Sequence, residues 1–168
     1  MKKNAPLRPL SQAEIQPIIN ALNSGQLAMA EAMSKKLLKQ FPNAFVLLNL
    51  YGNALAGQNK TKEAVEAFRK AIKIDPSIAE MHFNLAALLT NMNRHEEAIQ
   101  SYKKAVSLKP NLVDAYYNMG IAHQALKQYP QASQNYQKAI ELEPGFYEAM
   151  VNLGVVLQEQ GMLIEAIN

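Results

Sequence analysis

Apolar and polar residues alternate along this chain at helical spacing, in blocks of constant length. Within a block, large and small apolar residues recur at steps of three and four, which places them on one stripe of an α-helix. Prolines punctuate the blocks. Because proline lacks a backbone N–H and clashes with a continuing helix, each of them marks a helix end. These prolines lie 34 residues apart, at Pro42, Pro76, Pro110 and Pro144.

The same interval brings further columns of residues into register. Small residues recur at Ala30, Ala64, Ala98, Ala132 and Ala166, at Ala71, Ala105 and Ala139, and at Gly52, Ala86, Gly120 and Gly154. Large residues recur at Leu48, His82, Tyr116 and Met150, at Tyr51, Leu85, Met119 and Leu153, and at Phe68, Tyr102 and Tyr136. Helices approach closely only where a side chain is small, so we interpret these columns as the core of paired helices.

Each block also carries turn signals in its middle and at its end. The middle positions are Gly25, Asn59, Asn93, Lys127 and Gly161. Glycine and asparagine tolerate the left-handed conformation that ends helices, which predicts hairpin turns at four of these five. Lys127 is the exception, but Pro130 suits the first turn of the next helix. The residues after three prolines, Asn43, Ser77 and Asn111, are good N-cap residues.

These columns resemble the tetratricopeptide repeat (TPR) family. The units AEMHFNLAALLTNMNRHEEAIQSYKKAVSLKPNL and VDAYYNMGIAHQALKQYPQASQNYQKAIELEPGF carry its pattern in full. The resemblance implies an all-α fold, a right-handed superhelical solenoid of antiparallel helix hairpins. It also implies a flexible N-terminal segment at 1–10, a divergent first TPR at 11–44, TPRs at 45–78, 79–112 and 113–146, and a truncated TPR at 147–168.

The first unit departs from the pattern. Ile18 replaces the small residue, and Pro17 stands where a large apolar residue belongs. Ser11 and Glu14 have the spacing of a capping box, yet Pro17 should kink or delay that helix. The following segment, MAEAMSKKLLKQF, is amphipathic and is predicted to form the second helix. An atypical first repeat is typical of a terminal cap.

The last unit stops at Asn168, shortly after Ala166. Its apolar column of Met150, Leu153 and Leu157 would then lack half of its usual cover. We therefore expect the chain to be part of a longer array or of a multidomain protein. A further hypothesis is self-association through this incomplete C-terminal repeat.

The sequence has few residues that could form a catalytic or metal-binding site. His82 and His123 occupy core columns, and His95 lies near a hairpin turn, so no histidine–carboxylate set with ligand spacing shares a functional face. The chain has no cysteine, no Gly-rich phosphate loop and no nucleophile elbow. We expect no catalytic residue, no metal and no cofactor in this segment, which is not predicted to be an enzyme.

Composition and charge restrict the classes of partner and the cellular location that we expect. Hydrophobic residues make up 49% and charged residues 18%, as in a folded globular protein. The net charge of +3 is small and the lysines are dispersed, which disfavours nucleic acid. No apolar run approaches the ~20 residues that span a bilayer, and the N-terminus lacks the apolar region of a signal peptide. We therefore expect no membrane association and a cytoplasmic location.

The resemblance implies that positions two, five, six and nine of each first helix line a concave binding face. Position six repeats as Asn84, Asn118 and Asn152, similar to the asparagine ladder in the TPR superhelix of O-linked N-acetylglucosamine transferases. An asparagine side chain both donates and accepts, so such a ladder can hold a peptide backbone. The candidate peptide-binding residues are Asn49, Asn53, Phe83, Asn84, Asn91, Tyr117, Asn118, Gln124 and Asn152. The alternative is that these columns belong to the family consensus and serve folding.

Charge on the same face refines the expected partner. Position two is acidic at Glu80, Asp114 and Glu148, which favours neutral or basic peptides. Positions two, five and six carry no lysine or arginine, so the clamp that chaperone-tail-binding TPRs use for a C-terminal carboxylate is absent.

Two functions remain open at this point. The first is a protein- or peptide-binding TPR scaffold that holds an extended segment. The alternative is the substrate-recruiting N-terminal TPR region of a larger enzyme, such as a glycosyltransferase or sulfotransferase. The gene sequence beyond Asn168 would decide between them.

Overall fold

The computed structural model describes residues 8–161, and over that range the chain is all helical, with nine α-helices and no strand. Five helices precede the short mid-block turns, and we call them first helices: α1 (Gln12–Asn23), α3 (Phe45–Gly57), α5 (Ala79–Asn91), α7 (Val113–Ala125) and α9 (Tyr147–Glu159). The second helices follow those turns: α2 (Leu27–Leu38), α4 (Thr61–Ile74), α6 (His95–Leu108) and α8 (Tyr129–Leu142).

The helices form two compact units, with the division after Ser77. In the first unit, α1 pairs with α2 and α3 with α4, and α2 packs against α3. In the second unit, α5 pairs with α6 and α7 with α8, while α6 packs against α7 and α8 against α9. The predicted all-α array of helix hairpins is confirmed. The predicted second helix of the last repeat, which includes Ala166, lies outside the described residues, as do residues 1–7.

The predicted hairpin turns at glycine and asparagine are confirmed by a positive φ at each. The values are 72° at Gly25, 59° at Asn59, 56° at Asn93 and 75° at Gly161. The expectation for Lys127 was wrong, since it has the same conformation, with φ 56°. The reason is the hydrogen bonding of the turn, in which Gln128 N donates to His123 O at 2.9 Å and Lys127 N to Gln124 O at 2.9 Å. This pair of bonds requires the left-handed residue whatever its type.

The predicted N-caps were wrong by one residue. The cap positions are the apolar residues Ala44, Ile78, Leu112 and Phe146, not Asn43, Ser77 or Asn111. Ser77 instead donates from its backbone N and its Oγ to Asp75 Oδ1, at 3.0 and 2.6 Å, and closes a local turn. Phe146 packs on Tyr117 with 4.7 Å between ring centroids. Apolar packing at the cap position therefore replaces the side-chain cap.

The core of a hairpin is a small residue on the first helix facing an aromatic residue on the second. A Cβ atom built at Gly52 would lie 2.8 Å from Phe68 Cζ, and one at Gly120 would lie 2.5 Å from Tyr136 Cε1. Phe68 is 1% exposed, and Tyr102 and Tyr136 are fully buried. The small and aromatic columns are therefore packing positions, as predicted.

The first hairpin reverses these sizes. Ile18 occupies the column of Gly52, and Ser34 occupies the column of Phe68. Both Ile18 and Ser34 are fully buried. The large side chain thus comes from the first helix and the small one from the second, which preserves the combined volume. This exchange accounts for the divergent first unit, because interiors are close-packed and tolerate volume-conserving changes.

The entry to α1 combines a cap with an internal proline. Glu14 Oε2 accepts from Ser11 N at 3.1 Å and from Ser11 Oγ at 2.8 Å, as expected for the capping box. The helix starts at Gln12 with Pro17 inside it, so of the two effects expected of Pro17, a kink or a delayed start, the delayed start does not occur. Arg8 pairs with Glu14 at 2.7 Å and lies 5.5 Å from the centre of the Phe41 ring. These hydrogen bonds, led by that from Arg8, lower the pKa of Glu14 to about 2.

The predicted second helix of the first unit was displaced. It begins at Leu27, two residues before the predicted segment, and ends at Leu38 instead of Phe41. Phe41 N donates to Leu37 O at 2.8 Å in the final turn, and the Phe41 side chain is buried.

Polar side chains connect neighbouring hairpins, and they come from the same two columns of the repeat in the first and the last hairpins. Gln58 Nε2 donates to Glu31 Oε2 at 2.8 Å, and Lys60 Nζ lies 2.6 Å from the same oxygen. Both groups lower the pKa of Glu31, Lys60 more than Gln58. At the equivalent columns of the last hairpins, Gln160 Nε2 donates to Ser133 Oγ at 2.9 Å. Polar residues thus face polar residues between these hairpins.

Two buried tyrosines in equivalent positions differ in hydrogen bonding. Tyr136 Oη donates to Gln124 Oε1 at 2.7 Å. The buried Tyr102 hydroxyl makes no hydrogen bond of normal geometry within the described residues, since Thr90 stands in the place of Gln124 and its hydroxyl, although close to Tyr102, donates to Ala86 O at 3.0 Å. Burial raises the pKa of Tyr102 to about 12. One hydroxyl is thus satisfied and its equivalent is not.

The exchange of side-chain sizes at Ile18 and Ser34 predicts that substitutions at these two positions are coupled. Ile18→Gly should remove a buried side chain and lower the free energy of unfolding by about 3 kcal/mol, and Ser34→Phe should overpack the hairpin by ~1–3 kcal/mol. Together they recreate the arrangement of the other hairpins, so the double variant should recover at least 1 kcal/mol relative to the sum. Urea unfolding of the four proteins measures this coupling. Additive losses would contradict the exchange.

Tyr102 and Tyr136 should differ in how replacement by phenylalanine changes the free energy of unfolding. Tyr136→Phe should lower the free energy of unfolding by about 1 kcal/mol, because it removes a hydrogen bond and leaves Gln124 without it. Tyr102→Phe should leave stability unchanged or raise it, because it removes an unsatisfied buried hydroxyl. Thermal and urea unfolding of both variants provide the measurement, and each variant is the control for the other. Equal losses would show that the two hydroxyls are equivalent.

Candidate peptide-binding face

The candidate site consists of positions two, five, six and nine of the first helices, which we call the inner-face columns. In the second unit these columns run along α5, α7 and α9 and contain Phe83, Asn84, Tyr117, Asn118 and Asn152, all partly exposed. Asn49 and Asn53 are half-buried on α3 in the first unit. We therefore describe the site within the second unit, which holds most of the predicted residues.

The predicted asparagine ladder is not uniform. Asn118 Nδ2 donates to Asp114 O at 2.8 Å, whereas Asn152 Nδ2 donates to Tyr117 Oη at 3.2 Å. The difference arises at position five of the preceding repeat. Tyr117 provides a hydroxyl for Asn152 there, whereas its equivalent, Phe83, provides none for Asn118. Asn152 also interacts with the hydroxyl of Tyr136, whereas the side-chain carbonyl of Asn118 accepts no hydrogen bond within residues 8–161. The Asn118 carbonyl oxygen can accept from a backbone N–H group of a ligand.

Aromatic rings stand beside these amides and are held from behind by the core. Tyr117 packs against Phe146 at 4.7 Å and against Tyr136 at 5.9 Å between ring centroids. Phe83 meets the edge of Tyr102 at 5.8 Å. Because buried rings fix their orientation, Phe83 and Tyr117 present their exposed portions without loss of further side-chain freedom.

Two predicted residues lie apart from this arrangement. Gln124 is half-buried, and its Oε1 accepts a hydrogen bond from the Tyr136 hydroxyl, so its side chain is engaged in the core of its hairpin. Asn91 is exposed at the last residue of α5. The structure therefore brings Phe83, Asn84, Tyr117 and the later asparagines onto one set of helix faces, while Gln124 has an internal role.

Acidic side chains accompany the columns at position two. Glu80 lies 3.2 Å from Lys109 Nζ, and its pKa is lowered by a hydrogen bond from backbone N–H and by Lys109. Asp114 and Glu148 are exposed and form no ion pair within residues 8–161. The inner-face columns of the second unit therefore contain three acidic side chains and no lysine or arginine, and Lys109 pairs with one of the three, Glu80.

On α9, apolar side chains on the same side of the helix are exposed. We define the α9 apolar row as Tyr147, Val151 and Val155, which are 74%, 65% and 43% exposed. By sequence position, Val151 and Val155 belong to the inner-face columns at positions five and nine, although none of the three is among the candidate peptide-binding residues. Their helical spacing of four would have marked them as one row, but only the structure shows that they are uncovered.

A buried histidine lies away from the inner-face columns. His123 is buried, its Nδ1 lies 2.6 Å from Gln128 Oε1, and it lines a cavity of about 160 Å³ with Glu96 and Lys103. Among residues 8–161, no three histidine, aspartate or glutamate side chains come together as a metal site would require. Over the same range, no helix has the length and apolar character needed to cross a membrane.

Comparison with known proteins places these features in a family. A model described as "TPR repeat" matches residues 52–93 and 88–127. Models described as "Tetratricopeptide repeat" match residues 113–146 and 135–168. Together these matches extend without a gap from residue 52 to residue 168.

One curated relative and two solved structures illustrate the likeness. The chain is 36% identical over 54 residues to the peroxisomal targeting signal receptor of Candida glabrata, an alignment that covers 32% of this chain and only 9% of that protein. The crystal structure of MamA protein has a TM-score of 0.87 at 24% identity and covers 92% of this chain and 85% of its own, which establishes the fold alone.

The second structure is the first TPR of Spaghetti (RPAP3) bound to the HSP90 peptide SRMEEVD. Its TM-score is 0.68 at 27% identity, and the match covers 70% of this chain and 93% of that one. From residue 52 onward, the family models, the helix hairpins and the 34-residue columns agree, and these models match more than half of the chain. The chain therefore belongs to the tetratricopeptide repeat family.

Proposed function

We propose that this TPR scaffold binds an extended peptide or partner segment along the inner-face columns of α5, α7 and α9. The observation that carries the proposal is the repeated pairing of an asparagine with a core-anchored aromatic ring, at Phe83 and Asn84 and again at Tyr117 and Asn118. An amide beside a fixed ring combines backbone recognition with an apolar contact. The role proposed is binding, without catalysis by this segment.

Hydrogen bonds alone support only weak binding. Each contributes about 0.5–1.5 kcal/mol net, so three asparagines supply roughly 1.5–4.5 kcal/mol, which corresponds to millimolar affinity at best. Contacts with Phe83 and Tyr117 would strengthen binding, since buried aromatic residues dominate many interfaces. Because an asparagine contacts the peptide backbone, we expect sequence-tolerant binding with micromolar to millimolar affinity.

Charge favours a neutral or basic ligand. Asp114 and Glu148 are exposed on the face, and positions two, five and six hold no lysine or arginine that could bind a carboxylate. The RPAP3 TPR was solved with SRMEEVD, an acidic peptide. We therefore expect SRMEEVD to bind this chain poorly, which makes it a suitable negative control.

A second candidate function rests on the asparagine columns themselves. Their similarity to the ladder of O-linked N-acetylglucosamine transferases favours a substrate-recruiting region of a larger enzyme. In that case the same face would bind the substrate peptide, while catalysis would belong to another domain of the parent protein. Both candidates require a peptide-binding face, so the test of binding applies to each.

The binding proposal predicts a specific loss on alanine substitution. Random 12-residue peptides displayed on phage would be selected on the chain, and the enriched peptides titrated by calorimetry. Asn84→Ala and Asn118→Ala should each weaken binding by roughly two- to tenfold, as expected for one hydrogen bond. Gln134→Ala, on the exposed side of α8, is the matched control and should bind as the wild type does.

Two results would contradict the proposal. One is an unchanged affinity in both asparagine variants, which would place the peptide elsewhere. The other is binding of SRMEEVD as tight as that of the selected peptides, which would remove the expected charge preference.

A further inference from the structure

The outer surface of α2 differs from that of the other second helices. Its exposed residues in the first two turns are Ala28, Met29 and Ala32, and Met29 is 54% exposed. Apart from Pro130, the same three columns hold exposed charged or amide residues elsewhere: Lys62, Glu63 and Glu66 on α4, Glu96, Glu97 and Gln100 on α6, and Gln131 and Gln134 on α8. Among the described second helices, α2 alone is apolar at all of its positions in these columns.

The exposure of this surface does not depend on a neighbouring hairpin. Glu63, Glu97 and Gln131 occupy the column of Met29 in hairpins that follow another hairpin, and all three are exposed. The column therefore remains uncovered when a hairpin precedes it. It belongs to second helices and is thus separate from the inner-face columns, which belong to first helices.

Three exposed lysines continue this surface. Lys35, Lys36 and Lys39 follow Ala32 by three, four and seven residues, which places them on the same side of the helix and of the turn after it. Lys36 and Lys39 form no ion pair within residues 8–161. Lysine also occurs at the column of Lys36 in the later hairpins, so the lysines alone do not distinguish α2: Lys70, Lys104 and Lys138.

The lysines of α2 differ from the later ones because acidic side chains do not balance them. The one acidic residue of α2, Glu31, is 2.6 Å from Lys60 of the next hairpin, and Lys35 makes the smallest contribution to its lowered pKa. On α1, Glu14 is paired with Arg8 at 2.7 Å. The positive charge of this part of α2 is therefore left for a partner.

The α2 outer face is one helix wide, and we define it as Ala28, Met29, Ala32, Lys35, Lys36 and Lys39. Met29 and Lys39 are ten residues apart, so the face extends about 15 Å along the helix axis. On the neighbouring α4, the exposed Glu63 and Glu66 interrupt the basic residues. A planar anionic surface such as a membrane would meet these carboxylates, whereas one narrow segment of a protein need not.

The two parts of the face require two kinds of contact. Ala28 and Ala32 are one turn apart and allow another helix to approach closely, and the flexible Met29 side chain adapts to the residues that cover it. Exposed ion pairs contribute little individually, so acidic residues alone would bind the lysines weakly. A ligand that fits must combine aliphatic side chains at one end with acidic side chains at the other.

We propose that the α2 outer face binds an amphipathic helix of a partner protein, acidic at its N-terminal end and aliphatic beyond it. The inference goes beyond the proposed function, because it concerns another face and the opposite ligand charge. The partner helix runs antiparallel to α2, so that its aliphatic residues cover Met29 and its acidic residues pair with Lys35, Lys36 and Lys39. This direction is favoured because acidic residues stabilise a helix at its N-terminus.

The test uses three labelled synthetic peptides, SPEEAAELAALLAAG, SPQQAAQLAALLAAG and SPEEAAEQAAQQAAG, titrated with the chain by fluorescence anisotropy at 150 mM salt. The first peptide carries both acidic and aliphatic residues, the second lacks the acids, and the third lacks the leucines. Its three acids have the same spacing as Lys35, Lys36 and Lys39. We expect the first peptide to bind at least fivefold more tightly than either of the others.

Two variants of the chain locate the binding. The double variant Met29→Glu, Ala32→Glu gives α2 the residues that α4 carries at Glu63 and Glu66, so it should keep its fold and bind the first peptide at least tenfold more weakly. Lys36→Ala should weaken binding about threefold. Lys104→Ala, at the same column of α6, is the matched control and should bind as the wild type does. Circular dichroism checks the fold of each variant.

Several results would overturn the inference. They are absence of binding by the first peptide, equal binding of the first and third peptides, and equal effects of Lys36→Ala and Lys104→Ala. Co-sedimentation with vesicles that contain 30% phosphatidylserine, abolished by the double variant, would assign the face to a membrane and also overturn it. Asn118→Ala should leave binding of the first peptide unchanged, so this test and that of the inner face can fail independently.

Discussion

The contact between a small side chain on one helix of a hairpin and a large one on the other, an aromatic ring in the later hairpins, is the constraint on which the described hairpins depend. At Gly52 and Gly120 the ring fills the space where a Cβ atom would be, so the helices approach more closely than alanine would allow there. The first hairpin meets the same volume requirement with the sizes reversed, at Ile18 and Ser34. Conserving volume therefore matters more than which helix supplies the large side chain.

This packing also prepares the candidate binding face. The rings that fill the hairpins, Tyr102 and Tyr136, are the rings against which Phe83 and Tyr117 rest. The core thus positions the aromatic residues of the face from behind. A ligand that contacts them does not have to order them, which reduces the entropic penalty of binding. The scaffold and the proposed binding face are consequently parts of one packing arrangement.

Equivalent positions in different repeats do not have equivalent roles. Asn118 and Asn152 share a column, yet one donates to its own helix and the other to Tyr117. Tyr102 and Tyr136 share a column, yet within residues 8–161 Tyr136 donates to Gln124 while Tyr102 makes no hydrogen bond of normal geometry. In both cases a residue in another column decides the outcome: Phe83 or Tyr117 in the first, and Thr90 or Gln124 in the second. The repeat pattern therefore predicts where a side chain lies better than it predicts which hydrogen bonds that side chain forms.

The amino-acid sequence by itself determined the hairpins, their turns and their core, because prolines, left-handed turn residues and small–large columns act through local geometry and recur at a constant interval. It did not determine the helix starts, where Ala44, Ile78 and Leu112 hold the cap positions one residue after the expected caps, or the left-handed Lys127, which the hydrogen bonds of its turn require. Only the tertiary structure decided which inner-face residues are already engaged and which apolar residues on α9 are uncovered. Both depend on neighbouring helices, whose contacts no single repeat contains.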